Sequence, residues 1–230
     1  MGRVGRPGRN LSTRKQTKML KLYGAPPTRL LRALWLVNEL GIDCERIPVD
    51  MSRGEHQSPA MRAINPAGKV PFLVDGDTVI TESCAIMLYL AEKYPEKGFM
   101  PQDLGLRAQV YRWMFFLATD IEQPLWRIAL HEFIYPEAER VPADAPLAMR
   151  DGKTMIAVLE AHMQNRRFLV GDRLSVADFN AAYTLDWARE AGMLGDAPRL
   201  QAFVEEMYAR PTAPPTIAAA FAVLDEPASN

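Results

Sequence analysis

The chain has 230 residues, 48% of them apolar and 24% charged, with a formal net charge of −1. This is the usage of an ordinary globular protein, long enough for one large core or two small ones, and it excludes fibrous, low-complexity and strongly charged polymer-binding classes. No apolar run approaches the roughly 20 residues that span a bilayer, and no leader pattern opens the chain. Two cysteines, Cys44 and Cys84, offer neither a disulfide framework nor a metal-ligand spacing. The expected setting is a reducing cytoplasm, with no membrane and no metal.

Residues 1–18 carry six basic side chains (Arg3, Arg6, Arg9, Arg14, Lys15, Lys18) and no acid. A basic arm can contact nucleic acid, but one without aromatic residues or periodicity reads as disordered, so no nucleic-acid partner is expected. Met19, directly before the first apolar segment, is as good a start as Met1. From Met19 to Tyr23 the chain alternates as a short strand. Pro26, Pro27 and Thr28 interrupt it, and a helix follows to about Leu40, with Leu31, Leu34, Trp35 and Val37 as its buried stripe and Gly41 as its stop. Ile47 to Val49 reads as a second strand, followed by irregular chain to Pro66.

Lys69–Val74 and Thr78–Thr81 form a hairpin through Asp75-Gly76-Asp77. A helix then runs from Ser83 to Tyr94, with Ala85, Leu88 and Ala91 on one side, and Pro95 to Gly105 reads as a linker. Beyond it every periodic segment is helical. The first, Leu106 to about Glu132, carries Val110, Met114, Leu117, Ile121 and Leu125, with a kink expected at Pro124. Tyr135–Pro146 is proline-rich and reads as a loop that would suit a lid. Helices follow over Leu147–Gln164, from Ser175, over Arg199–Ala209 and over Thr216–Leu224. The pair Ser175/Asp178 reads as a capping box that satisfies free N–H groups rather than as a catalytic couple.

The order βαβ then ββα is thioredoxin-like. The expected organisation is a basic arm over 1–18, an α/β thioredoxin-like domain over 19–95, a linker over 96–104 and an all-α helical domain over 105–230. Within the first domain, Asn65-Pro66-Ala67-Gly68-Lys69-Val70-Pro71 and Thr81-Glu82-Ser83 carry the chemistry. A proline inside a strand has given up a ladder bond, so Val70 before Pro71 exposes its N–H and C=O to an incoming extended peptide. Glu82 and Ser83 open a helix, where a hydroxyl and free backbone N–H groups converge on a carboxylate.

These motifs resemble the glutathione-binding half of the cytosolic glutathione transferases, most of all the theta, zeta and related bacterial members, and the resemblance extends over residues 20–225. It implies the transferase fold, glutathione as co-substrate, a homodimer, and a cis bond between Val70 and Pro71. It further implies that the Val70 backbone pairs with the cysteinyl part of glutathione. Glu82 and Ser83 would hold the γ-glutamyl end, and His56 with Lys69 the glycine carboxylate. In serine-type members the activating hydroxyl stands four residues before an arginine of the first helix. Arg32 is that arginine here, which makes Thr28 the counterpart; its hydroxyl can donate the same bond while its methyl restricts χ1.

Glutathione supplies its own nucleophile, a thiol whose ordinary pKa of about 8.5 is lowered by a hydrogen-bond donor and a helix N-terminus. The alternative activator is Tyr23, at the end of the first strand; the structural alternative for Thr28 is a plain helix cap. No cysteine stands in the loop, which speaks against thiol–disulfide chemistry. The second substrate is expected to be a small hydrophobic electrophile, with Tyr111 and Phe115, one turn apart, as candidates for its wall. Two rival functions share the fold: a glutathione-dependent isomerase or peroxidase, and a transferase-like binding or regulatory protein without turnover.

Overall fold

In the computed structural model, which describes residues 19–225, alternation builds the first strand. β1 (Leu20–Gly24) buries Leu20 and Leu22 and leaves Lys21 and Tyr23 half-buried. It lies parallel to β2 (Cys44–Pro48) and antiparallel to β3 (Phe72–Asp75), which pairs with β4 (Thr78–Thr81), giving the order β2-β1-β3-β4. A parallel pair needs a crossover, and α1 (Leu30–Leu40) supplies it. The expected stripe of α1 is buried, and Gly41 ends the helix at φ 62°, its N–H bonding Asn38 O. The expectations for residues 1–18 lie outside the described residues.

Several boundaries differ from the sequence reading. β2 begins at Cys44, because its parallel register runs from Leu20↔Cys44 to Gly24↔Pro48. β3 begins only at Phe72, after the proline. The stretch expected to be irregular contains a 3-10 turn, Glu55–Gln57, and a short helix, α2 (Pro59–Ile64), which Ser58 caps by accepting the Met61 N–H. The Ser-Pro pair at cap and first position was the available signal. α3 (Ser83–Lys93) buries Ile86, Met87, Leu90 and Ala91, whereas Ala85 and Leu88 are half-buried.

The long C-terminal helix is interrupted, though not by a simple proline kink. α4 (Leu104–Phe116) passes through a π-helical turn at Leu117–Ile121 into α5 (Glu122–Ala129), and a second π-helical turn spans Leu130–Ile134. Pro124 has no N–H to offer the Asp120 carbonyl, and the chain widens just before it, with Glu122 N–H reaching Leu117 O. The extra residue in that turn brings Ile121 and Glu122 both to the buried side. The expected loop after Tyr135 holds a 3-10 turn at Glu137–Glu139. α6 (Asp144–Met163), α7 (Val176–Glu190), α8 (Pro198–Tyr208) and α9 (Ile217–Asp225) complete the chain. None of the helices among the described residues is long and apolar enough to cross a membrane.

α7 lies at the centre of the molecule, against α1, α3, α4 and α8. The indole of Trp35 meets Phe179 edge-on and tilts against Tyr208, so one continuous apolar core joins the sheet to the helices. The architecture is a thioredoxin-like domain with a mixed four-stranded sheet, joined to a helical C-terminal domain.

The Ser175/Asp178 pair forms the capping box at the start of α7. Buried Asp178 accepts the N–H groups of Leu169 and Ser175 and the Ser175 hydroxyl, which ties the preceding loop to the central helix. Loss of the hydroxyl in Ser175→Ala is expected to cost about 1 kcal/mol. Burial pushes the Asp178 carboxyl up to about 6 from 3.8, against the pull of those hydrogen bonds. A raised folded value means that the folded state holds the proton more tightly. Asp178's contribution is therefore fully present below the unfolded value and fades as pH rises through about 6. Denaturant titration of Asp178→Asn should thus show a larger loss of stability at pH 5 than at pH 7.5; a loss that grows with pH would contradict this account.

Candidate active site

Strand register assembles the site. The pairs Tyr23↔Phe72 and Phe72↔Thr81 set the end of β1, the start of β3 and the end of β4 side by side. The loop after β1, the Val70-Pro71 step and the start of α3 therefore meet at one end of the sheet. The Val70–Pro71 bond is cis, as is Pro26–Pro27 in the neighbouring loop. Val70 stands just outside the ladder, and neither its N–H nor its C=O has a partner among the described residues.

Asn65 shapes the approach to Val70. Its buried amide donates to Lys69 O at 2.7 Å and accepts from Ala67 N at 3.2 Å, while its carbonyl takes the Gly68 N–H. Gly68 has φ 59°, a conformation that L side chains rarely adopt, and it lies against the Gln57 amide. Gln57 in turn donates to Gly68 O at 2.8 Å, which ties the Glu55–Gln57 turn to the residue before Lys69. His56 Nδ1 is buried without a hydrogen-bond partner, and the Lys69 side chain is exposed.

Glu82 is exposed and holds φ 65° and ψ 114°, the sole non-glycine with positive φ among the described residues. Such strain persists where the surroundings enforce it and marks functional positions. Ser83 is different from its expected picture, because it is buried and its Oγ already accepts two bonds from Arg32, at 3.0 and 2.8 Å. The hydroxyl keeps its proton to donate, and the first N–H groups of α3 remain unpaired by the helix.

Arg32 is the centre of a buried network that links both halves of the chain. It is 3% exposed and reaches Glu122 Oε2 at 2.5 Å, Asn180 Oδ1 at 2.8 Å and Ser83 Oγ. Glu122, 5% exposed, also accepts from Arg29 Nε. Burial disfavours the Arg32 charge, but Cys84, Glu122 and Tyr183 around it more than offset that and raise its pKa. Burial likewise opposes Glu122 ionisation, yet Arg32 and Arg29 hold its pKa below the ordinary carboxylate value.

Thr28 sits at the entry to α1. Its Oγ1 donates to Ala25 O at 2.6 Å and accepts the Leu30 N–H at 3.2 Å, so it stands one residue before the N-cap Arg29, takes up the first helical N–H and keeps one lone pair free. Tyr23 stacks on Phe72, with centroids 4.4 Å apart. It packs across the sheet at half burial rather than within the core.

Tyr111 and Phe115 are not brought to this edge. The Tyr111 hydroxyl donates to Glu92, nine residues along α3 from Ser83 and so about 13 Å away along the axis. Phe115 is 67% exposed. The aromatic side chains that do reach the loop are Trp126 of α5 and Trp187 of α7, whose rings lie 4.9 and 5.4 Å from the Arg29 guanidinium. Sequence reasoning missed Glu122, Arg29, Asn180 and Trp187 as site components. The π-helical turn that faces Glu122 inward leaves no mark in a 3.6-residue pattern. A surface hollow of about 670 Å³ beside His162, Arg166 and Arg167 shares no residue with this edge. Among the described residues no group of three His, Cys, Asp or Glu side chains could hold a metal ion.

Comparison with known proteins agrees with this geometry. Residues 18–92 match the glutathione S-transferase N-terminal domain model and residues 121–211 the C-terminal one. Glutathione S-transferase F9 of Arabidopsis thaliana is 36% identical over 211 residues, covering 87% of this chain and 97% of the relative. Among solved structures, glutathione transferase F7 of Populus trichocarpa superposes with a TM-score of 0.77 at 26% identity, covering 90% of this chain and all of that one. A theta-class glutathione S-transferase of Xanthomonas axonopodis pv. citri, with glutathione bound, gives 0.75 at 28% identity, over 86% and 98%. The chain belongs to the glutathione S-transferase family, as an enzyme that uses glutathione as co-substrate.

Proposed function

We propose that this chain binds glutathione along the open sheet end and ionises its thiol for attack on a small hydrophobic electrophile. The observation that carries the reading is the unpaired Val70 backbone beside the cis proline, next to the strained Glu82 and the free helix start at Ser83. Val70 pairs with the cysteinyl backbone. Glu82 receives the γ-glutamyl ammonium, and the N–H groups at Ser83 receive its carboxylate. Lys69 and His56 take the glycine carboxylate.

Thr28 is the proposed activator. Its hydroxyl exchanges the Ala25 carbonyl for the sulfur, a trade that favours the thiolate because a bond to an ionised acceptor is about twice as strong as a neutral one. The sulfur then attacks an electrophilic carbon, and the thiol proton passes to solvent. Two guanidiniums sharing the one Glu122 carboxylate leave a positive excess near the sulfur, which acts in the same direction.

Steady-state conjugation of glutathione with a chlorodinitrobenzene tests the reading. A rate above the uncatalysed one that saturates in both substrates is expected; no acceleration with glutathione bound would favour a binding protein without turnover. Lys69→Ala is expected to weaken glutathione about fivefold, as befits an exposed charge pair, with the loss shrinking at high salt. Titration calorimetry at two ionic strengths reads both effects. We further propose a homodimer that covers the exposed Phe115 face of α4, in the cytoplasm, with disposal of reactive electrophiles as its role. Two free cysteines, Cys44 and Cys84, suit a reducing compartment. Sedimentation of a single 25.8 kDa species would dismiss the dimer.

A further inference from the structure

Arg29, at the end of the loop after β1 and the start of α1, is held as a fixed cation against the helical domain. Its Nε–H is committed to Glu122, and its guanidinium is stacked near Trp126 at 4.9 Å and Trp187 at 5.4 Å. The side chain remains 31% exposed, and neither Nη group has an acceptor among the described residues. Glu122 is shared with Arg32, so the one carboxylate faces two guanidiniums. The other buried acid nearby, Asp186 of α7, is occupied by Arg189 and by the Ile217 N–H at the start of α9. Beside this cation the Trp126 indole, whose ring the guanidinium overlies, is still 37% exposed and offers a flat apolar surface. The acidic and aromatic partners of Arg29 lie on α5 and α7, whereas the groups assigned to glutathione stand in the loops before α1 and β3, in the Glu55–Gln57 turn and at the start of α3.

We infer that the preferred electrophile is a flat aromatic compound carrying a negatively charged substituent, its ring on Trp126 and its anion on the Nη groups of Arg29. The inference rests on the transferase reading above and names its substrate class. A planar guanidinium pinned on three sides presents its remaining N–H groups in the fork that matches a carboxylate, and an indole face accepts an offset-stacked arene. In the reaction the thiolate sulfur forms a C–S bond at the activated ring carbon. The C–X bond breaks and the halide leaves with the electron pair.

The test uses 4-chloro-3,5-dinitrobenzoate and its methyl ester as matched probes, each enzymatic kcat/KM being divided by the uncatalysed rate of the same probe. The wild type is expected to favour the carboxylate by about tenfold, with the preference falling to about unity in Arg29→Gln and partly retained in Arg29→Lys. Quenching of tryptophan fluorescence by unreactive 3,5-dinitrobenzoate, with glutathione present, should weaken in step. No preference in the wild type, or a preference that survives in Arg29→Gln, overturns the inference. So does a glutathione affinity that falls in Arg29→Gln while the probe ratio stays put, since Arg29 would then serve the peptide. If neither probe is conjugated but dinitrobenzoate still binds through Arg29, the anion site stands and the transferase reading fails instead.

Discussion

Glu122→Ala is expected to lower the unfolding free energy by about 3–5 kcal/mol, the scale for removing one partner of a buried ion pair. That is a large share of a typical domain's total of about 5–15 kcal/mol. The variant strands Arg32, which is 3% exposed and cannot shed its proton. Ser83 Oγ and Asn180 Oδ1 remain as neutral acceptors, but neither carries charge. Replacing Arg32 and Glu122 together by apolar residues of similar volume should recover much of the loss, because the desolvation cost then disappears with the charges. Denaturant unfolding of the wild type, both single variants and the double variant supplies the cycle. A loss below about 1 kcal/mol, the range of an exposed pair, would mean that water reaches the network. The pH dependence has a definite sign. Glu122's folded pKa is lowered, so its contribution is present above the unfolded carboxylate range and lost as pH falls through the folded value.

Glu82→Ala is expected to weaken glutathione by about 1.5–3 kcal/mol, the scale of a hydrogen bond to a charged group, or about 10- to 150-fold. The companion variant Glu82→Gly separates recognition from folding. Glutathione should weaken as much, yet stability should rise by about 1 kcal/mol, because glycine adopts φ 65° without a Cβ penalty. Calorimetry and thermal unfolding on the two variants decide it. Unchanged affinity in both would remove Glu82 from the site, and lower stability in Glu82→Gly would mean that the backbone is not strained there.

Those two residues also show how far sequence reaches. The place of Glu82 at the sheet end was legible because a Val-Pro step, a two-residue hairpin turn and a helix start follow one another within 14 residues, and register alone brings them together. The element order and the helical second half were legible for the same reason, through period-two and period-3.6 patterns. Glu122 was not legible. It lies 90 residues from Arg32, and its burial depends on a π-helical turn that shifts the face of the rod by one residue. Ser83 was half legible, since its place at the helix start was foreseen and its engagement by Arg32 was not. Tyr111 and Phe115, candidates for the electrophile wall, stand on the same continuous rod that carries Trp126, and the structure sets them away from this edge. Which part of that helix approaches the loop is set by packing against α7, and periodicity carries no information about it.

The central claim is that glutathione is held at this sheet end with its thiol ionised by Thr28. Ultraviolet titration of the thiolate of bound glutathione, in the wild type and in Thr28→Ala, tests it most directly. A bound pKa well below that of free glutathione, returning toward the free value in the variant with affinity nearly intact, is the predicted result. A bound thiol that titrates like the free one in the wild type would contradict it.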